Sequence, residues 1–185
     1  QFYAVAVHPT QTNYFLAGAQ DNGVHQLNNP GLGASVEVTG GDGAYVAIDQ
    51  DEPTYQFGSY VYNTYRRSSN NGANWSSFSI NSSSGRFINP WDYDNQGNMI
   101  YACNAAGNYL RWENPQTAAS AAAAVTSVVP ITEFAGQNVS AVHVSPFTAN
   151  RVFFGMGAGK VIRVSDAQAT TPTAADITPA GASGY

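Results

Sequence analysis

Apolar and polar positions along the chain form a pattern that recurs four times. Each unit reads strand, polar turn, strand, Gly- or Asn-containing turn, strand. The first comprises 3–9, 14–18 and 23–27, and the second 44–50, 55–59 and 64–68. The third comprises 88–94, 99–103 and 107–112, and the fourth 139–146, 152–156 and 159–164. In the third strand of each unit polar and apolar residues take turns, as in Gly159-Lys160-Val161-Ile162-Arg163-Val164, which predicts a half-buried strand. The first and second strands are more uniformly apolar, which predicts burial on both faces. The turn anchors His8, Asp49, Asp94 and Pro146 are spaced at an interval typical of a four-stranded unit. The longest interval holds 115–130, read as a loop insertion, with helix expected at most near 118–124. The repeats therefore run about 1–40, 41–85, 86–135 and 136–185.

Composition sharpens this reading. Only 10% of residues are charged, against about 25% in an ordinary domain, and aromatics make up 12%. Gly, Asn, Ser, Thr and Tyr suit short strands and tight turns better than helices. Seven Lys and Arg against twelve Asp and Glu give a formal charge of −5. No basic stripe exists to displace counterions from a nucleic acid or to meet an anionic membrane, so neither is an expected partner. Cys103 is the single cysteine and lies in the apolar run Met99-Ile100-Tyr101-Ala102-Cys103, where a buried, inert thiol is expected. One cysteine and the scattered His8, His25 and His143 do not make a Cys-His metal site. No stretch reads as a signal peptide or membrane span. The scarcity of Lys fits an exported chain whose mature form has lost its signal, placing it outside the cell or on its surface.

One turn carries a more specific signature. In 68–75, Asn70, Asn71 and Gly72 suit the positive φ of a tight turn, the Ser68 hydroxyl can brace it, and Trp75 returns into the next strand. This resembles the Asp-box, or BNR repeat: Ser68, Gly72 and Trp75 match it, and Asn70 stands where the family prefers Asp. The turns 20–23 and 40–43 also resemble those of BNR propellers, among them sortilin-like proteins and exported proteins of the type 9 secretion class. The resemblance implies an all-β fold, a β-propeller of about four blades of four antiparallel strands, with Trp75 buried in its own blade. It further implies a run of blades from a larger propeller, the alternative being a four-blade ring closed by pairing 176–178 beside 1–7. The remaining blades of a parent, or another protein chain, are then the expected partners, with glycans a third candidate.

In a propeller the entrances to the first strands form the usual binding face. Asp42, flanked by Gly40, Gly41 and Gly43, is the first carboxylate to suspect there, with Asp21 and Asp49 as further ligand-binding candidates. Each also has a plain reading as a turn-bonding side chain. Asp51, Glu52, Asp92 and Asp94 could extend a carboxylate group, but they align with turns where Asp commonly caps. No cofactor or metal is expected, with a structural calcium left open. A sialidase is disfavoured: Arg86-Phe87-Ile88-Asn89-Pro90 departs from the Arg-Ile-Pro motif, and Arg66, Arg67, Arg111 and Arg163 fall in third strands. His8 and His143 fall at equivalent repeat positions, and Asn74, Asn81 and Asn138 head glycosylation sequons. Tyr60, Tyr62, Tyr65, Trp91, Tyr93, Tyr109 and Trp112 either stack sugars or pack between blades. The function expected is a non-catalytic secreted or cell-surface module acting as scaffold, adhesin or protein- or glycan-binding platform. The alternative is a propeller glycoside hydrolase acting on polysaccharide, such as the xyloglucan-hydrolysing propellers.

Overall fold

The computed structural model describes residues 2–29, 31 and 33–182. It holds four four-stranded antiparallel sheets, each a meander in chain order. The first contains β1 (Ala4–Val7), β2 (Phe15–Ala19), β3 (Gly23–Leu27) and β4 (Val36–Thr39). The second contains β5 (Val46–Ile48), β6 (Gln56–Ser59), β7 (Asn63–Ser68) and β8 (Ser76–Asn81). The third contains β9 (Trp91–Asp94), β10 (Met99–Cys103), β11 (Asn108–Glu113) and β12 (Val125–Pro130). The fourth contains β13 (Val139–Val144), β14 (Val152–Met156), β15 (Val161–Ser165) and β16 (Thr173–Asp176). Short 3-10 turns at Ala121–Ala123 and Thr132–Phe134 are the helical content of the described residues. The expected loop insertion is thus shorter than its sequence suggests, because Val125–Pro130 pairs with β11 as a fourth strand.

The chain forms two compact units. One holds Gln1–Ser83, Phe87–Asn89 and Ala118–Ala123, and therefore the first two sheets; the other holds Ser84–Arg86, Pro90–Thr117 and Ala124–Tyr185, with the last two. Each sheet has two ends. The turn between its second and third strands and the connection entering a first strand lie at what is here called the entry end. The other two turns lie at the cap end. Turns close where Asn and Asp tolerate positive φ, as at Asp21, Asn71, Asn98, Asn114, Asn150 and Asp166.

In the first unit Tyr14, Leu16, Val24 and Ile48 form a buried cluster. Tyr14 ties the two sheets together, its hydroxyl donating to Gln56 Oε1 at 2.8 Å. In the second unit Tyr109, Phe134, Val152, Phe154 and Ile162 lie at the centre of a larger cluster. There Tyr109 donates to Ala167 O at 2.6 Å. Arg111 donates to Ala169 O at 3.0 Å and pairs with Glu113 at 3.0 Å. Burial of the second strands agrees with their apolar run. The first strands divide: β9 is largely buried, whereas β1 alternates between partly buried and exposed residues, with Val5 and Val7 exposed, and β13 does so between its buried ends. β1 and β13 are each a sheet edge with a hydrogen-bonded neighbour on one side alone, as β9 is too, so what covers the faces of a first strand and not its apolar run decides its burial. β1 pairs with β2 and β16 with β15.

The turn before β8 is held from inside. Ser68 Oγ accepts Gly72 N at 2.9 Å, and Asn70 Oδ1 accepts Asn74 N at 2.9 Å. Trp75 Nε1 donates to Gly72 O at 3.0 Å. Trp75 is partly buried rather than fully buried as expected, and it packs at the margin of the cluster between the first and second sheets. Full burial would make Trp75→Ala cost about 3–5 kcal/mol; partial burial lowers the expected loss to about 1.5–2.5 kcal/mol. Urea denaturation of the variant checks this, and a loss above 3 kcal/mol would restore the buried ring.

Candidate functional site

At the entry end of the first unit, backbone hydrogen bonds join the 19–23 turn to the connection into β5. Gly23 N donates to Gly41 O at 2.7 Å, and Gly43 N to Ala19 O at 2.9 Å. The approach is so close that a Cβ on Gly43 would lie 2.0 Å from Gly23 O, which only glycine permits. This brings two of the three suspected residues together, through the backbone of one and the carboxylate of the other. Asp21 takes a left-handed conformation, φ 63°, and its N–H donates to Asp42 Oδ1 at 3.0 Å.

Aromatic residues lie in the turns and connections at the same end. Tyr3 is 49% exposed and donates to Gln20 Oε1 at 3.1 Å. Tyr60 packs against Gly41, where a Cβ would come within 2.7 Å of the ring, and Arg66 lies 5.4 Å above the Tyr60 centroid. Tyr62 meets Phe87 edge-on at 5.9 Å, its N–H donates to Phe87 O, and Phe87 is 46% exposed. The aromatics named from sequence thus divide: Tyr65, Trp91, Tyr93, Tyr109 and Trp112 are buried, while Tyr60 and Tyr62 stay partly open. Tyr3 and Phe87 were not legible as members of this group, since each precedes or follows its strand at a different sequence distance.

Asp49 lies elsewhere, at the cap end. Its buried Oδ1 accepts Asp51 N at 3.0 Å and Glu52 N at 2.9 Å. Asp94 does the same for Gln96 N at 3.0 Å and Gly97 N at 2.9 Å, and its Oδ2 accepts Asn150 N at 2.6 Å. In the first sheet His8 Nδ1 takes this role for Thr10 N and Gln11 N, and in the fourth Ser145 Oγ takes it for Phe147 N and Thr148 N. Three kinds of acceptor, imidazole, carboxylate and hydroxyl, therefore close the same turn in the four sheets. His8 corresponds to Ser145 rather than to His143, which lies two residues earlier within β13; the expected equivalence of the two histidines fails. Since Nδ1 accepts, neutral His8 carries its proton on Nε2.

In the second unit, His143 is exposed on β13 and its Nδ1 lies 3.4 Å from Asp92 Oδ2 on β9. Asp92 also accepts Tyr93 N at 2.9 Å and Val144 N at 2.8 Å. Burial raises its pKa above the usual carboxylate value and outweighs these hydrogen bonds and the imidazole, with Asp94 adding to the rise. A carboxyl whose folded value is raised binds more protons folded than unfolded. Its contribution to stability is thus greatest below the ordinary value of about 3.9 and is lost as pH rises from there through the raised value. Thermal melts across that range should show Asp92→Asn gaining on the wild type as pH rises. A difference between the two that is independent of pH would contradict this.

Among the described residues no three of His, Cys, Asp and Glu gather as a metal site would require. No family model matches the chain, and no curated protein sequence matches it. Its structure is similar to that of an ancestral GH74 enzyme, with a TM-score of 0.64 and 16% identity over 93% of this chain. The chain spans 23% of that protein's length. At that identity the likeness speaks for fold alone. With four four-stranded meanders and almost no helix, it makes the sheets blades of a β-propeller.

Proposed function

We propose that this chain contributes a carbohydrate-binding rim to a β-propeller. The observation that carries the reading is the entry end of the first unit, where Tyr3 and Tyr60 lie next to the Asp21–Asp42 turn pair and Tyr62 and Phe87, at the same end, are partly or largely open. Sugar rings offer apolar C–H faces to aromatic rings and hydroxyls to carboxylates, and this end supplies both. Asp42 in this reading is a turn-holding and hydroxyl-accepting group, not a nucleophile or acid. Affinity electrophoresis through a panel of polysaccharides tests it. Retardation by at least one neutral polysaccharide is expected, weakened about fivefold in Tyr3→Ala and in Phe87→Ala, from about 1 kcal/mol per ring. No retardation, or retardation indifferent to both changes, would contradict it.

A second reading, hydrolysis of a polysaccharide, is favoured by the GH74 enzyme among structural neighbours. Glycoside hydrolysis ordinarily needs two carboxylates, and Asp21 and Asp42 are the pair at this end. Reducing-end release that disappears in Asp42→Asn would select it over binding alone. The Asp-box reading of Ser68, Asn70, Gly72 and Trp75, an exported or cell-surface location, an adhesive or scaffolding role, and partnership with further blades or another chain rest on the sequence resemblance and are proposed with it.

A further inference from the structure

A pocket of about 300 Å³ lies in the second unit, with Pro130, Thr132 and Glu133 on one wall and Thr170, Thr171 and Pro172 on the other. Both walls are held from behind. Ile131 and Phe134, on either side of Thr132 and Glu133, are buried, and Ile131 N donates to Gly107 O at 3.0 Å. The backbone leading to Thr170 is gripped by the Arg111 guanidinium, which donates to Ala167 O at 3.4 Å, to Gln168 O and to Ala169 O at 3.0 Å. Glu113 balances that cation at 3.0 Å, and Arg111 is not part of the lining.

On these fixed walls the polar side chains are unspent. Glu133 is the one charged residue of the lining, partly buried, and among the described residues its carboxylate has neither an ion pair nor a hydrogen bond. The hydroxyls of Thr132, Thr170 and Thr171 are likewise without a partner among the described residues. Pro130 and Pro172 have no backbone N–H to offer. The pocket thus presents one negative charge, three hydroxyls and two apolar rings, with no cation of its own. A hard metal ion would want six or more oxygens, which one carboxylate and three hydroxyls do not supply. An ammonium has three donors to place, and a carboxylate with neighbouring hydroxyls can accept all three. The volume stands at the small end of ligand pockets, which suits one sugar unit rather than a chain.

We infer that the Glu133 pocket is an ammonium-binding subsite whose ligand is the amino sugar of a glycan, the carboxylate taking the protonated amine and Thr132, Thr170 and Thr171 the neighbouring hydroxyls. The sugar part rests on the carbohydrate-binding reading above; the ammonium part rests on the pocket itself.

Calorimetric titration near pH 6, where an amine of ordinary basicity is protonated, tests the assignment with a glucosamine oligomer, its N-acetylated counterpart and a lysine-containing peptide. The wild type should bind the amine oligomer about fivefold more tightly than the acetylated one, as a charge-assisted hydrogen bond at a partly exposed carboxylate allows. Glu133→Gln should abolish that preference and still melt like the wild type, because Glu133 has no partner in the fold to lose. Thr170→Val with Thr171→Val removes two hydroxyls and keeps their bulk, and should weaken the amine oligomer about threefold to tenfold. Equal binding of the two oligomers, or a preference that survives Glu133→Gln, would overturn the subsite. The lysine peptide binding as tightly as the amine oligomer would overturn the sugar as ligand. The rim is read separately, by a neutral oligosaccharide: binding that weakens in Tyr3→Ala and ignores Glu133→Gln keeps the rim reading even where the subsite fails.

Discussion

Asp94→Ala should destabilise the second unit by about 3–5 kcal/mol. The carboxylate is almost fully buried and serves three backbone N–H groups: Gln96 and Gly97 through Oδ1 and Asn150 through Oδ2. Two of these close its own turn and the third ties β9 to the turn before β14. Alanine leaves all three donors without their partner, and each buried orphan costs about 1–3 kcal/mol, relieved in part where water enters the turn. Asp94→Asn keeps one oxygen and should lose less than half as much. Cys103 provides a local readout. It is buried in the same unit, and burial pushes its thiol up to about 11, so labelling near pH 8 reports opening of that unit. Labelling of Asp94→Ala should accelerate by two to three orders of magnitude, following about 1.4 kcal/mol per tenfold. A rate within tenfold of the wild type would show that the carboxylate does not hold the two turns.

Phe154→Ala should be comparably damaging, at about 3–5 kcal/mol. Phe154 is fully buried on β14, stacks on Tyr109 at 5.1 Å and meets Phe134 edge-on at 5.1 Å. Those partners come from the third sheet and from the 3-10 turn preceding β13, so one ring joins three segments. Removing it opens a cavity that rigid aromatic neighbours cannot refill. Phe154→Leu should recover more than half of the loss by retaining branched volume. Denaturant titration of both variants checks the pair, and an Ala variant no weaker than the Leu variant would contradict the packing.

Much of this architecture was legible in the sequence because turn chemistry is local. Asp21, Asn71 and Gly72 do take the left-handed conformations their residue types favour, whereas Asn70, expected to do the same, does not and serves the turn through Oδ1, which accepts Asn74 N. Asp49 and Asp94 do bond the N–H groups two and three residues ahead, as a short carboxylate at a strand end can. What failed was inference about surroundings. Trp75 has the residue type of a core plug, yet its exposure depends on how closely another sheet's side chains approach. Val5 and Val7 look like core residues but lie on an edge strand. His8 was matched to His143 by residue type, whereas the hydrogen bonds match it to Ser145, a residue with no chemical likeness beyond one acceptor. At the candidate site, Asp21 and Asp42 were both visible from their glycine-flanked turns. Tyr3 and Phe87 were not, because they lie outside the strands in separate parts of the chain and share no motif.

The central claim is that glycan binds at the entry end of the first unit, and mapping backbone amide shifts during titration with a retarded oligosaccharide tests it most directly. The account predicts shifts gathered at Asp21, Gly41, Asp42, Gly43, Tyr60 and Tyr62, with the cap-end amides of Asp51, Glu52, Gln96 and Gly97 unmoved. Shifts gathered at the cap-end turns instead, or none at the Asp21–Asp42 turn pair, would contradict it.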